Sequence, residues 1–548
     1  MKIITAQLNA KLGAMDENVS KALEVIECAQ RSGDQPDLVV LPPFFVSGYP
    51  LGGLLFSDAF LANLAQAHER LAKEAPVPIV TSTFMTEFDA ESGDALVVEE
   101  KVCLFHDGNI VALEGSKDQF YELVAFELGG MSFAAVLGEV EDAAGEELDV
   151  DCIINLCDTT YDVERPALVD GEMISDDRAF ARERGVWLIR CGCVGAQDSA
   201  VFPGASYAIS PKGELTTDVL LFDEALLTLS INLDDAGSWE ASLEEIDDRD
   251  YGFSTYLDAE GIDDEAADWG AICLGTRDYL KKNGMSDVVI GLSGGMDSTV
   301  VAVVAADAIG AEHVHGVLMP SMYSSQSSID DSLDLAQRIG IETVTIPITG
   351  PFEAFEAALT EPFGGPVEGL PRENLQARIR TVYVMALSNR FGWVMLNTGN
   401  KSEAAVGYST LYGDTCGAYA PLGNIYKTRL YELAEWRNEQ SEVIPRNVIE
   451  KAPSAELHPD QRDDDTLPPY EILDGICNLY LEFGCSADEI VEEGFDPAVV
   501  DRVLNLIANN EYKRANEPIG PWVDGVSLTD DRAWPITCAY RDRSTKME

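Results

Sequence analysis

Residues 288–299 read Val288-Val289-Ile290-Gly291-Leu292-Ser293-Gly294-Gly295-Met296-Asp297-Ser298-Thr299, and this stretch decides the fold of the C-terminal half. The apolar run predicts a buried strand, the glycines a turn, and the residues from about Thr299 onward a helix. Glycines let a backbone approach phosphate closely, and free N–H groups at a helix start receive its charge. Ser293 and Ser298 add hydroxyl donors. Asp297 would repel phosphate by itself, so it makes chemical sense as a magnesium ligand. A plain strand-to-helix turn needs neither two serines nor an acid facing an anion.

Outward from this stretch, strands at His315-Gly316-Val317-Leu318 and Thr343-Val344-Thr345-Ile346 alternate with helices, which predicts a doubly wound parallel sheet. Upstream the chain turns acidic and weakly periodic, as in Leu243-Glu244-Glu245-Ile246-Asp247-Asp248. Residues 234–263 are expected to be a linker, with one domain over 1–233 and a second over 264–548. The first domain shows short apolar runs such as Leu38-Val39-Val40-Leu41 and Cys152-Ile153-Ile154-Asn155-Leu156. Amphipathic stretches lie between them, and hairpin signals stand at His106-Asp107-Gly108-Asn109 and Pro211-Lys212-Gly213-Glu214. That alternation predicts an α/β layered domain with buried sheets.

At 548 residues the chain is too long for one core, and 46 % hydrophobic residues exclude a disordered chain. Against 96 acidic residues stand 37 basic ones, a formal charge of -59. Such a balance repels nucleic acid and anionic membranes, so neither is expected as a partner. Eleven cysteines without regular spacing give no disulfide framework. Reduced, mostly buried thiols and an N-terminus without the apolar core of a signal peptide predict a cytoplasmic protein.

The serine-glycine loop resembles the pyrophosphate-binding loop of the ATP pyrophosphatases, which include NAD, GMP and asparagine synthetases. Later segments are similar to NAD synthetase in order: Glu373-Asn374-Leu375-Gln376-Ala377-Arg378, Thr398-Gly399-Asn400-Lys401-Ser402-Glu403, Tyr412-Gly413-Asp414, Tyr426-Lys427-Thr428, and Pro453-Ser454-Ala455-Glu456-Leu457. The resemblance implies an adenine nucleotide alpha hydrolase-like, Rossmann-like sheet and an ATP- and Mg2+-dependent ligase. It makes Asp297, Glu403 and Lys427 catalytic, with Asp297 and Glu403 as metal ligands. Ser293, Gly294, Gly295, Asp297, Ser298, Thr398, Lys427 and Ser454 would hold ATP. Asn374, Arg378, Lys401 and Asp414 would face deamido-NAD. The segment from Glu450 to Pro469, with Gln461, Asp463 and Asp465, is expected to close over ATP. One departure is the ending Gly525-Val526-Ser527-Leu528-Thr529-Asp530-Asp531-Arg532, shorter than the family pattern and with one basic residue. It implies a different or weaker grip on the dinucleotide.

The N-terminal half resembles the nitrilase-like glutaminase domain fused to glutamine-dependent NAD synthetases, an α-β-β-α sandwich. Ser47-Gly48-Tyr49-Pro50, Val194-Gly195-Ala196-Gln197-Asp198 and Phe202-Pro203-Gly204-Ala205-Ser206 carry the likeness. Such domains use a glutamate base, a lysine for the oxyanion and a cysteine nucleophile. Here the glutamate position falls on Pro43, with no Glu between Glu27 and Glu69. The cysteine position falls on Gly138, with no Cys between Cys103 and Cys152. Lys117 alone keeps the lysine position.

The expectation is therefore an NAD synthetase that adenylates deamido-NAD and takes ammonia, with an inactive glutaminase half and room for an external ammonia donor. A homo-oligomer, paired through the synthetase domain, follows from the same resemblance. Two other readings stand beside it: a fully glutamine-dependent synthetase whose triad lies elsewhere, and a nucleotide-binding scaffold without turnover.

Overall fold

A computed structural model of the chain describes residues 1–528 apart from 32–34, 90–94, 114, 118–120, 139, 141–148, 234–237, 247–251, 258–260, 459–460, 462 and 464–465. Two units divide the chain: Met1–Asp250 with Ser254–Gly270, and Tyr251–Phe253 with Ala271–Glu548. The division falls inside the helix Asp264–Lys282 rather than at its start.

The first unit contains two larger sheets. One runs in the order Trp239–Glu245, Ala225–Ile231, Lys2–Gln7, Leu38–Val40, Ile79–Phe88, Ala95–His106, Asn109–Ala112. The other runs Tyr207–Ile209, Trp187–Gly192, Cys152–Cys157, Met131–Gly138, Tyr121–Leu128, Gly115–Lys117. Ile3, Val39 and Val80 of the first share one core cluster with Phe133, Ile154 and Ile189 of the second. The helix Asp58–Glu74 packs on the first sheet and Glu172–Arg184 on the second, giving the α-β-β-α sandwich. Central strands such as Leu38–Val40 and Cys152–Cys157 are buried along their whole length, which is why they read as unbroken apolar runs. The Asp107-Gly108 turn joins paired His106 and Asn109, both turn residues at positive φ (50° and 76°), as a primed hairpin turn requires.

The acidic stretch expected to link the domains differs from that reading. Trp239–Glu245 is the edge strand of the seven-stranded sheet, and Thr255–Leu257 pairs with Val219–Leu221. Trp239, Ala241 and Leu243 pack on the core while Glu240, Ser242 and Glu244 face out. Outward carboxylates on an edge discourage pairing with another chain, and they masked the period-two pattern in the sequence.

In the second unit a four-stranded parallel sheet runs Glu342–Thr345, Val314–Leu318, Val288–Leu292, Val394–Met395. The helix Met296–Ile309 follows the Val288 strand and is buried along most of its length. Among the described residues no helix is long and apolar enough to cross a membrane.

Candidate active site

The Val288 strand lies between Val314–Leu318 and Val394–Met395. The chain therefore builds outward on one side and returns on the other, leaving a crevice beyond the carboxyl ends of these strands. A cavity of about 480 Å³ opens there, lined by Ser293, Gly295, Asp297 and Ser298 from one strand end and by Thr398, Asn400 and Glu403 from the next.

Hydroxyls hold the serine-glycine loop from within. The Ser293 N–H donates to Ser298 Oγ at 3.2 Å, the two hydroxyls meet at 3.0 Å, and Gly295 N–H donates to Ser293 Oγ at 3.2 Å. Gly294 has φ 75°, and a Cβ there would stand 2.2 Å from the Ser328 carbonyl oxygen. Only glycine satisfies both conditions.

Next to this loop lies a charged cluster. Lys427 donates to Asp297 and stands 3.8 Å from Glu403, while Asn400 Nδ2 donates to Asp297 Oδ1 at 2.7 Å. Asn400 also caps its own helix by accepting from the Glu403 N–H at 3.0 Å. Burial and then the Asp297 charge push the Glu403 carboxyl well above the ordinary range, and Lys427 opposes them. Burial works against the Lys427 ammonium, but Asp297 and Glu403 outweigh it and raise its pKa. Ser402 and Asp474 brace this helix junction. Ser402 Oγ donates to Asp474 at 2.5 Å and accepts from the Lys427 N–H at 2.8 Å, and Asp474 also receives Thr428 N–H at 2.9 Å.

Asp297 and Glu403 suit magnesium, which takes one or two carboxylates and fills its remaining positions with water and phosphate oxygens. Two half-buried carboxylates share one ammonium, and desolvation together with the Asp297 charge raises the Glu403 carboxyl, a setting that a divalent cation would relieve. Among the described residues no larger group of His, Cys, Asp or Glu is arranged for a metal ion.

Of the other expected residues, Asn374, Asp414 and Ser454 also line the cavity. Asn374 accepts from Thr410 Oγ1 at 2.8 Å. Burial raises the Asp414 carboxyl to about 6 against the opposing Thr410 N–H, although its opening to the cavity lets water screen part of that shift. Two of the expected residues stand off the cavity wall. Arg378 is exposed, donates to the Leu411 carbonyl at 3.2 Å and does not line the cavity. Lys401 is 1 % exposed, paired with Glu482 at 2.8 Å over the Tyr426 ring, and also lies off the cavity wall. Its motif position placed it beside the helix start, and the helix turns its side chain inward. The cavity wall also takes in Lys451 and Glu456, from the segment expected to close over ATP, and Lys513 and Glu517, which no local pattern singled out. In a chain with 37 basic residues, each lysine within a polar segment was the available signal. Asp465 and Arg532 lie outside the described residues.

In the first unit, Pro43 is buried and its carbonyl faces the Cys193 thiol at 3.5 Å. Gly138 ends its strand at φ 104°, and its carbonyl accepts from Asn155 Nδ2 at 2.6 Å. A backbone at that φ favours glycine over a side chain such as cysteine. Lys117 ends the edge strand Gly115–Lys117, opposite Glu122. Burial pushes the Cys152, Cys191 and Cys193 thiols up, and Asp158 adds to the shift at Cys193, which disfavours the thiolate that a nucleophile needs. The Cys157 thiol donates to Glu164 at 3.1 Å and receives Arg190 at 3.0 Å, within a buried Arg190–Glu164 pair.

Comparison with known proteins finds a family match in each unit. The NAD synthase family model matches residues 268–517, and the carbon-nitrogen hydrolase model matches residues 2–122. A glutamine-dependent NAD(+) synthetase of Thermotoga maritima is 36 % identical, with 99 % of each chain covered. One from Rhodobacter capsulatus is also 36 % identical, again over 99 % of each. The solved glutamine-dependent NAD+ synthetase of Acinetobacter baumannii, in complex with ADP, matches at TM-score 0.70 and 30 % identity, covering 98 % of each chain.

Proposed function

Because this chain belongs to the glutamine-dependent NAD(+) synthetase family, we propose that its second unit adenylates the nicotinate carboxylate of deamido-NAD with ATP and amidates the product to NAD. The observation that carries this reading is the Asp297–Lys427–Glu403 cluster against a glycine loop that leaves no room for a Cβ. The substrate carboxylate oxygen would attack the α-phosphorus and pyrophosphate would leave. Nitrogen would then attack the acyl carbon and AMP would leave. Loop N–H groups and the Ser293 and Ser298 hydroxyls hold phosphate oxygens, and Lys427 neutralises charge as pyrophosphate departs. Asp297 and Glu403 would hold magnesium, which when bound supplies further positive charge to the phosphates.

The nitrogen donor divides into two readings. Relatives of nearly the same length are named glutamine-dependent, and that name favours glutamine; the comparisons give no support to an inactive glutaminase half. The residues of this chain favour ammonia, with Pro43 and Gly138 at the positions the resemblance gives to base and nucleophile, and with the Cys193 thiol that faces the Pro43 carbonyl pushed up by burial. We take ammonia as the donor on those residues. NAD formation from deamido-NAD and Mg-ATP, run with ammonium and with glutamine in parallel, decides between them. Product with ammonium alone supports this reading, product with glutamine overturns it, and product with neither removes the ligase.

A second copy of the chain is the proposed partner. Helices Thr349–Phe363 and Leu370–Phe391 expose Phe355, Phe363, Leu370, Val382 and Phe391, apolar side chains suited to pairing. Light scattering on the wild type and on Val382→Glu tests it: a dimer that the substitution leaves intact sinks the assignment of this surface.

A further inference from the structure

Beyond the helix Arg446–Glu450 the chain crosses the nucleotide cavity, and residues 451–457 form part of its wall. Glu456 sits in the left-handed region at φ 49°, a costly conformation for a residue with a side chain, so tertiary contacts must hold it. Its carboxylate accepts three hydrogen bonds, from Ser325 N–H at 3.2 Å, Ser325 Oγ at 2.9 Å and Ser328 Oγ at 2.8 Å. Ser325 is the N-cap of the helix Gln326–Ile339, so this acid meets both hydroxyl donors and the positive end of a helix.

The same first turn touches the phosphate loop. Ser328 is the residue against which Gly294 packs without room for a Cβ. Lys451 closes the circuit, donating to the Gly294 carbonyl at 2.8 Å and to Ser328 Oγ at 3.0 Å. At the far end of the segment, Gln376 Nε2 donates to the Leu457 carbonyl at 2.8 Å. Glu456, Ser328, Gly294 and Lys451 thus form one connected ring around the phosphate loop. Glu456 is the only carboxylate that joins the crossing segment to Ser325 and Ser328 among the described contacts.

We propose that Glu456 is a positioning residue for the nucleotide: seated on the first turn of the Gln326–Ile339 helix, it clamps segment 451–457 against the Ser293–Ser298 loop and sets how tightly ATP is held. The carboxylate is taken up by Ser325 and Ser328, so its loss should weaken the grip more than it slows the chemistry. This inference rests on the ATP-ligase reading above.

The test uses the full chain with ammonium and saturating deamido-NAD. ATP is varied for Glu456→Ala, Glu456→Gln, Ser325→Ala/Ser328→Ala, and the triple variant combining Glu456→Ala with both serine changes. Binding of ATP alone is measured by calorimetry on the same proteins. Glu456→Ala should raise KM and Kd for ATP about tenfold, equivalent to about 1.4 kcal/mol. Its kcat should stay within about twofold, the pattern of lost uniform binding. Glu456→Gln, which keeps one acceptor, should fall between. The triple variant should lose less than the sum of the separate losses, because the partners act as one unit. Unchanged ATP affinity, additive losses, or a fall in kcat at constant KM would each overturn the clamp. Absence of product from the wild type would instead remove the ligase reading, and the calorimetric Kd values would still decide the clamp.

Discussion

The Lys427 ammonium contacts the Asp297 carboxylate and lies 3.8 Å from Glu403, so a single buried cation serves two acids. Replacing it by Lys427→Met leaves those acids facing each other. NAD formation should fall at least about 100-fold, the usual scale for losing a charge that stabilises a leaving group. The metal-free protein should lose about 3 kcal/mol, as expected when one partner of a buried ion pair is removed. Magnesium should restore part of that stability by standing in for the ammonium. Urea unfolding with and without Mg2+ reads this, and an equal metal response in wild type and variant would refute it.

Glu517 gives a pH prediction. Burial, opposed by Arg514, raises its carboxyl from 4.5 to about 7. The folded state then keeps a proton that the unfolded state releases, so stability declines as pH rises from about 4.5 to about 7. The full contribution is up to about 3 kcal/mol. Glu517→Gln should flatten this decline. Denaturation at pH 5 and pH 8 for both proteins checks it, and identical pH differences would show that Glu517 titrates normally.

Restoring a thiol by Gly138→Cys, alone or with Pro43→Glu, should not produce glutaminase activity above the wild-type level. The reason is the φ of 104° at Gly138, which a cysteine adopts only under strain. Glutamate release from glutamine is the readout. Vigorous release by the double variant would mean that the backbone relaxes to accept the side chain.

With a formal charge of -59, the folded chain repels itself. Salt shortens the reach of that repulsion from about 10 Å at 0.1 M to about 3 Å at 1 M. Melting temperature should therefore rise by several degrees between those concentrations of KCl. A flat or falling curve would show that specific ion pairs, such as Arg165–Asp268, matter more than net charge.

Local signals in the sequence were legible. The strand, glycine turn and helix around Ser293–Ser298 are contiguous, and each step carries its own residue signature. The Asp107-Gly108 turn was readable for the same reason. Signals that depend on distant partners were not. Trp239–Glu245 looked like a linker because its outward face is acidic and its strand identity comes from pairing with Ala225–Ile231. Lys401 and Arg378 sit in the expected segments, but helix phase sends one into a pair with Glu482 and the other to the surface. Glu456 was visible as part of a motif, whereas its seat on Ser325 and Ser328 required bringing together residues 131 and 128 positions apart.

Asp297 meets Asn400 and Lys427 from 103 and 130 residues further along the chain, on the far side of the sheet's return. During synthesis the glycine loop therefore emerges long before the groups that give it purpose. A ribosome must thread the chain beyond Lys427 before this cluster can exist at all. A chain ending before Lys427 carries the phosphate loop without the cation that faces its acid.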